Sequence, residues 1–363
     1  WSRGLGDVYK RQAEMSIEKS VFGRLSDGRP VEKYTLKNSA GMSAEILTYG
    51  CRIARIFVPD RTGKLENVVI GHDSLKGYET PGDVFGAAVG RFANRIAGAE
   101  FEIGGKRYTL PKNEGNNCLH CAPYGLQDRV FRVKKSDHSD DAPSVTLSYL
   151  SPDGEGGFPG NVTVDITYCV TTDNALTIDY RAETDAETPL NLTNHTYFNI
   201  AGNPAKDMLP VELQINADCY TDVGPDLIPT GKLVPVAGTP CDFRRAKTIG
   251  QDIRADDSLL KSCGGYDHNF VLRGPSGMKK AAELYHQASG RAMLVFTDLP
   301  GMQVYTCNGD ISGENGLIVA KHHAVCLETQ SFPDSVHHTE FPYENLKPGK
   351  PFRSTTIYKF ITR

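Results

Sequence analysis

Hydrophobic side chains recur at every second residue along much of this chain, and that period restricts the fold more than any other feature. After Val162, the residues Val164, Ile166, Tyr168 and Val170 share one parity, while Thr163, Asp165 and Thr167 take the other. A period of two puts apolar groups on one face of a strand, whereas a helix would need one near 3.6. Asp173-Asn174 interrupts the run, and Leu176, Ile178, Tyr180 and Ala182 resume it, which predicts a hairpin. The same grammar appears in Phe101 and Ile103, the turn Gly104-Gly105, then Tyr108 and Leu110. It returns in Val145, Leu147 and Tyr149, and in the β-rich run from Ile46 to Val58, which ends at Pro59-Asp60-Arg61-Thr62-Gly63. Helical turns are expected only in Asp73 to Tyr78 and Thr248 to Cys263.

Glycine and proline are dispersed rather than gathered in a linker, and no repeat or composition break divides the chain. Residues 15–363 therefore read as one domain, all-β, a single large antiparallel β-sandwich with few short helices. Strands do not alternate with helices, which argues against doubly wound and α/β-barrel folds. Residues 1–14 lack a signal peptide's apolar centre and precede Met15, so they read as a non-native leader or a mis-called start. A net charge of −4 without a basic run argues against nucleic acid or an anionic membrane as partner. No apolar stretch is long enough to span a bilayer.

Nine cysteines, an odd number spread along the chain, read as reduced thiols of a cytoplasmic protein. Cys118 and Cys121 form an isolated C-x-x-C without a second ligand pair, so metal is not expected there and free thiols are. The triplets starting at Asn161, Asn191 and Asn194 match the glycosylation pattern but read as polar strand residues. No nucleotide, serine-hydrolase or metalloprotease signature is present.

Four segments concentrate polar groups that a plain β core would exclude. They are Gly90 to Ile96 with the following Cys118-Leu119-His120; Asn191 to Asn199; Gly265 to Phe270; and Pro300 to Tyr305 with Cys326 to Gln330. On a regular strand Asn191, Thr193, His195, Tyr197 and Asn199 would share one face, a polar stripe lining a wet cleft. Singly, each histidine or glutamate is more often structural or solvated. Together, imidazoles, carboxylates, amides and a guanidinium form the kind of set that binds neutral sugars, with an aromatic ring against the pyranose.

At these residues the chain resembles the galactose mutarotase (aldose 1-epimerase) family. The strings GRFANRI, LH, TPLNLTNHTYFNIAG, IPTGKLVPVAGTPCDFR, GYDHNFVL, LPGMQVYT and CLETQSFPDSVHH occur in family order from about Gly90 to His338. The resemblance implies a β-sandwich with a sugar cleft on one concave sheet and no cofactor. It implies His195 as general acid, Glu328 as general base, and Asn94, Arg95, His120, Tyr197, Asp267 and Gln303 as sugar-holding residues. The implied partner is a small aldohexose such as galactose or glucose, and the implied assembly is a monomer or homodimer. The chain departs from the family at Cys121-Ala122-Pro123-Tyr124, at Gly309-Asp310 and at Val336-His337-His338. These positions are expected at the cleft rim, where they bear on substrate preference more than on chemistry.

The chemistry suits the residue types. Changing anomer requires a proton to leave the C1 hydroxyl while another reaches the ring oxygen, and each positioned group can contribute on the order of 10²–10⁴-fold. Histidine can be charged near neutral pH, and a partly desolvated glutamate is pushed toward the same range. Three alternatives share the inventory: a non-catalytic carbohydrate-binding sandwich, a glycosidase using Asp267 and Glu328, and a sugar-phosphate epimerase, which would want a further basic cluster.

Overall fold

The computed structural model describes residues 16–202 and 206–363, so the reading of residues 1–14 as a leader lies outside the described residues. Strands dominate, and the two α-helices are single short turns, Leu75–Tyr78 and Ser258–Cys263. Both helices are shorter than the sequence pattern suggests. Asp257 caps the second by accepting from the amides of Leu259 and Leu260, so that helix begins well after Thr248.

Three antiparallel sheets build the sandwich. The largest has nine strands, ordered Arg132–Asp137, Ser144–Ser151, Val162–Val170, Ala175–Thr184, Phe352–Thr362, Arg291–Thr297, Lys279–His286, Glu212–Ile215 and Lys247–Thr248. The expected hairpin forms with Val162 opposite Thr184 and Val170 opposite Leu176. Its apolar parity, Val164, Ile166, Tyr168, Leu176, Ile178 and Tyr180, is buried in the main core. A five-stranded sheet from Ile17–Arg24 to Leu65–Asn67 follows chain order. Here the run Ile46 to Val58 is two strands, Ser43–Leu47 and Arg52–Pro59, because Gly50 and Cys51 both take positive φ between them.

The third sheet carries the site. Its six strands run Tyr197–Phe198, Val325–Gln330, Gly301–Tyr305, Asp267–Leu272, Ala217–Val223 and Pro229–Pro235. Leu327, Met302, Val304, Phe270 and Leu272 point into the main core. The Tyr358 hydroxyl on the nine-stranded sheet donates to the Leu327 carbonyl, and Thr329 meets Thr356, which pins this face to the layer beneath. Strand alternation then forces Glu328, Gln330, Gln303, Asp267 and Asn269 onto the opposite face.

Candidate active site

Register brings that polar face together. Gln303 lies opposite both Glu328 and Asn269 on the neighbouring strands, and Asp267 lies opposite Tyr305. The Gln303 amide donates to the Asp267 carboxylate at 2.6 Å, and Gln330 donates to Asn269 at 3.1 Å. All six residues of Val325–Gln330 are buried, with Glu328 only 2% exposed. At the mouth, Asp267 and Tyr305 join Leu227, Cys263, Asn308 and Gly309 around a cavity of about 400 Å³. Of the departures from the family strings, Gly309 reaches this mouth. His337 and His338 instead bind the buried Asp334, which accepts from the Ala97 amide and donates its own amide to the Arg95 carbonyl.

A second wall comes from the turn Arg91 to Ile96 and the facing strand Cys118–Leu119. Asn94 and His120 both take positive φ and are tied by two hydrogen bonds: the His120 amide donates to the Asn94 carbonyl, and the Asn94 amide donates to the His120 side chain at Nδ1, 3.0 Å away. The Asn94 side chain accepts from the Arg95 amide at 2.9 Å. Arg95 is buried and paired through two nitrogens with Glu114. Arg91, by contrast, turns away and serves the carbonyls of Ser151, Pro152, Pro159 and Gly160.

The third wall corrects the expected polar stripe. Asn191 to Asn199 is not one strand, because Thr193–Asn194 pairs with Ala88–Val89 while Tyr197–Phe198 pairs with Val325 and Cys326. Asn191 is spent on Ser331, Thr193 on the Thr329 carbonyl, and Asn199 on the carbonyls of Lys206 and His323. These side chains hold backbone in place. His195 is the member of the stripe that joins the catalytic-type cluster, with Tyr197 stacked against it at 5.2 Å and enclosed by Phe85 and Tyr305.

The frame behind His195 was invisible to sequence patterning. Fully buried Arg52 donates to the Asp83 carboxylate and the Phe85 carbonyl, each at 2.8 Å, and to the carbonyls of Asp83 and Gln127 at 3.1 Å. His72 holds the other Asp83 oxygen at 2.5 Å. The loop so fixed places Phe85 edge-on to Tyr197, and its Gly86 amide donates to the His195 carbonyl. Gly86 is required there: it sits at φ 67°, and a Cβ would lie 1.9 Å from the Ile53 carbonyl oxygen. Gln127 extends the frame by donating to the His120 carbonyl at 2.9 Å.

Ligand atoms of His120, His195 and Glu328 lie within 4.8 Å of one another, with His195 Nε2 3.5 Å from Glu328 Oε1. Burial dominates their ionisation. It pushes the Glu328 carboxyl well above its ordinary range, reinforced by Asp267 and opposed by Arg95. It lowers His195 to about 4, and holds His120 well below the ordinary imidazole range, with His195 and Arg95 adding to the effect. Asp267 is also raised by burial, against the pull of Arg95 and Gln303. The sequence suggested imidazolium beside carboxylate. The closed cleft favours the neutral pair instead, which holds the same single proton on the other partner.

Two imidazoles and a carboxylate are also a metal-ligand set, the one such group among the described residues. Local hydrogen bonding speaks against that use. Because His120 Nδ1 accepts from the Asn94 amide, its proton resides on Nε2, which is then a donor rather than a metal ligand.

A β-sandwich that brings an imidazole and a carboxyl together on one buried polar face has the groups that acid–base chemistry requires. The aldose 1-epimerase family model matches residues 32–359. The galactose mutarotase of Mus musculus is 41% identical over 350 residues, covering 95% of this chain and 99% of that protein. The aldose 1-epimerase of Escherichia coli K12 is 36% identical over 340 residues, covering 92% and 96%. The crystal structure of galactose 1-epimerase from Lactobacillus acidophilus superposes with a TM-score of 0.85 at 28% identity, covering 96% of this chain and 99% of that one. The chain belongs to the aldose 1-epimerase family, isomerases that act on sugars.

Proposed function

We propose that the protein interconverts the α and β anomers of galactose, glucose and related aldoses, with Glu328 as general base and His195 as general acid. The observation that carries this reading is the 3.5 Å approach of His195 Nε2 to Glu328 Oε1 on the polar face of the sheet. The two oxygens that exchange protons in a pyranose are bonded to the same carbon. The acid and base serving them must therefore be near neighbours rather than groups facing each other across a wide cleft. The C1 hydroxyl donates and the ring oxygen accepts, so bound sugar favours carboxylate at Glu328 and imidazolium at His195. Glu328 takes the hydroxyl proton, His195 protonates the ring oxygen, and the C1–ring oxygen bond breaks. The aldehyde turns about C1–C2 and closes from its other face, returning both protons. Asn94, Arg95, His120, Asp267 and Gln303 hold the remaining hydroxyls, and Tyr197 walls the cleft beside His195.

The test follows the optical rotation of freshly dissolved α-galactose at neutral pH. Relaxation faster than the spontaneous rate, in proportion to protein concentration, is expected. Folded protein that binds galactose calorimetrically without accelerating relaxation would make this a carbohydrate-binding sandwich instead.

A further inference from the structure

Glu114 lies on the turn that leads to His120, within the residues the family model matches but between the strings GRFANRI and LH. The turn is rigid: Asn117 donates to the Glu114 carbonyl at 2.9 Å, and Asn113 holds both the amide and the carbonyl of Leu119, at 2.7 Å each. From it Glu114 reaches Arg95 side-on, Oε2 to Nε at 2.6 Å and Oε1 to Nη2 at 2.8 Å. The guanidinium is 8% exposed and the carboxylate 37%, so a charge at the water's edge neutralises one inside the wall. Two of the three guanidinium nitrogens are committed to Glu114, which fixes the plane of the group.

We propose that Glu114 is a positioning and charge-balancing residue of the epimerase site, clamping Arg95 and cancelling part of the field Arg95 exerts on the proton shared by Glu328 and His195. The proposal rests on the acid–base reading above. The charges acting on Glu328 are Asp267, one strand beyond Gly301–Tyr305 on the same sheet, and Arg95 from the turn wall. Tyr197, Cys326 and Tyr358 are neutral titratable groups that its charge acts on, and the imidazoles of His195 and His120 place ring nitrogens within 4.8 Å of its carboxylate. Arg95 is the cation among them, and Glu114 also acts directly on Asp267. Removing the Glu114 charge leaves the site one unit more positive. The shared proton is then lost at lower pH, and the alkaline limb of the activity profile moves down. A unit charge acting across a protein rim shifts a titration by roughly half to one pH unit, the lower figure applying where solvent screens it.

The experiment compares kcat/KM against pH for galactose mutarotation in the parent, Glu114→Gln and Glu114→Asp, corrected for the spontaneous rate. Glutamine keeps an acceptor for Arg95 and loses only the charge. Its alkaline limb is expected about half a unit or more below the parent's, with a few-fold higher KM, while Asp restores the limb. A brace without an electrostatic role would raise KM or lower the melting point and leave the limb in place. Coincident limbs for Gln and parent would overturn the proposal, and Glu114→Ser serves the same comparison should Gln fail to fold. Glu328→Gln is run alongside. If it keeps the parent's rate and profile, the acid–base reading itself fails; if it is inactive and the Glu114 limb is unmoved, only the Glu114 proposal fails.

Discussion

Replacing Arg52 by methionine tests whether the buried frame positions the site. Arg52 makes four hydrogen bonds, at 2.8 to 3.1 Å, to one carboxylate oxygen and three backbone carbonyls. Methionine occupies much of the same slot but satisfies none of them. Asp83 would then keep only His72 and the Phe85 amide, as a largely buried carboxylate without its main cation. Removing one partner of a buried ion pair costs about 3–5 kcal/mol, because the other charge is left uncompensated. The loop would also loosen its hold on Phe85 and on the His195 carbonyl, so kcat should fall by roughly 10–100-fold while the fold persists. Urea unfolding measures the first effect and polarimetry the second. Adding Asp83→Asn to the methionine variant removes the stranded charge and should recover a large part of the lost stability. A loss below about 1 kcal/mol for Arg52→Met, or no recovery in the double variant, would refute the argument.

Other outcomes follow from the same geometry. Because burial raises Glu328 above its unfolded value, its contribution to stability is complete below the ordinary carboxylate range and declines as pH rises through the folded value. Glu328→Gln should therefore melt progressively above the parent as pH increases past about 4.5, and a pH-independent gap between the two would contradict that. Asp267→Asn should raise KM for aldohexoses more than it lowers kcat, since its carboxylate accepts from Gln303 and lines the cavity at the cleft mouth, where the proposed sugar would enter. Unchanged KM for galactose and glucose would make Asp267 structural.

How much of this was legible in the sequence depended on whether a strand has one wet face. Val162–Val170 and Ala175–Thr184 do, and their period of two gave the hairpin directly. Val325–Gln330 is buried on both faces, so no periodicity marks it; only the family strings pointed to Glu328. The polar stripe misled because Asn191, Thr193 and Asn199 look identical in sequence whether they line a cleft or hold backbone carbonyls. Arg52 and Glu114 left no local signal, since their partners Asp83 and Arg95 are 31 and 19 residues away. Tyr305, within the string LPGMQVYT, lines the cavity at the rim, but an aromatic residue on a strand looks the same in sequence whether it packs in the core or borders a cleft.

The role of Glu328 is tested most directly by the turnover of Glu328→Gln. Glutamine is nearly isosteric and cannot take the C1 hydroxyl proton, so the loss should fall on kcat, by roughly 10²–10⁴-fold, with KM changed far less. His195→Asn should lose a comparable factor, and the double variant should fall well short of the product, because both groups act on one bond. The measurement is polarimetric relaxation of α-galactose, with calorimetric binding and a melting curve for each variant. Retention of more than about a tenth of the parent kcat by folded, galactose-binding Glu328→Gln would contradict proton abstraction by Glu328.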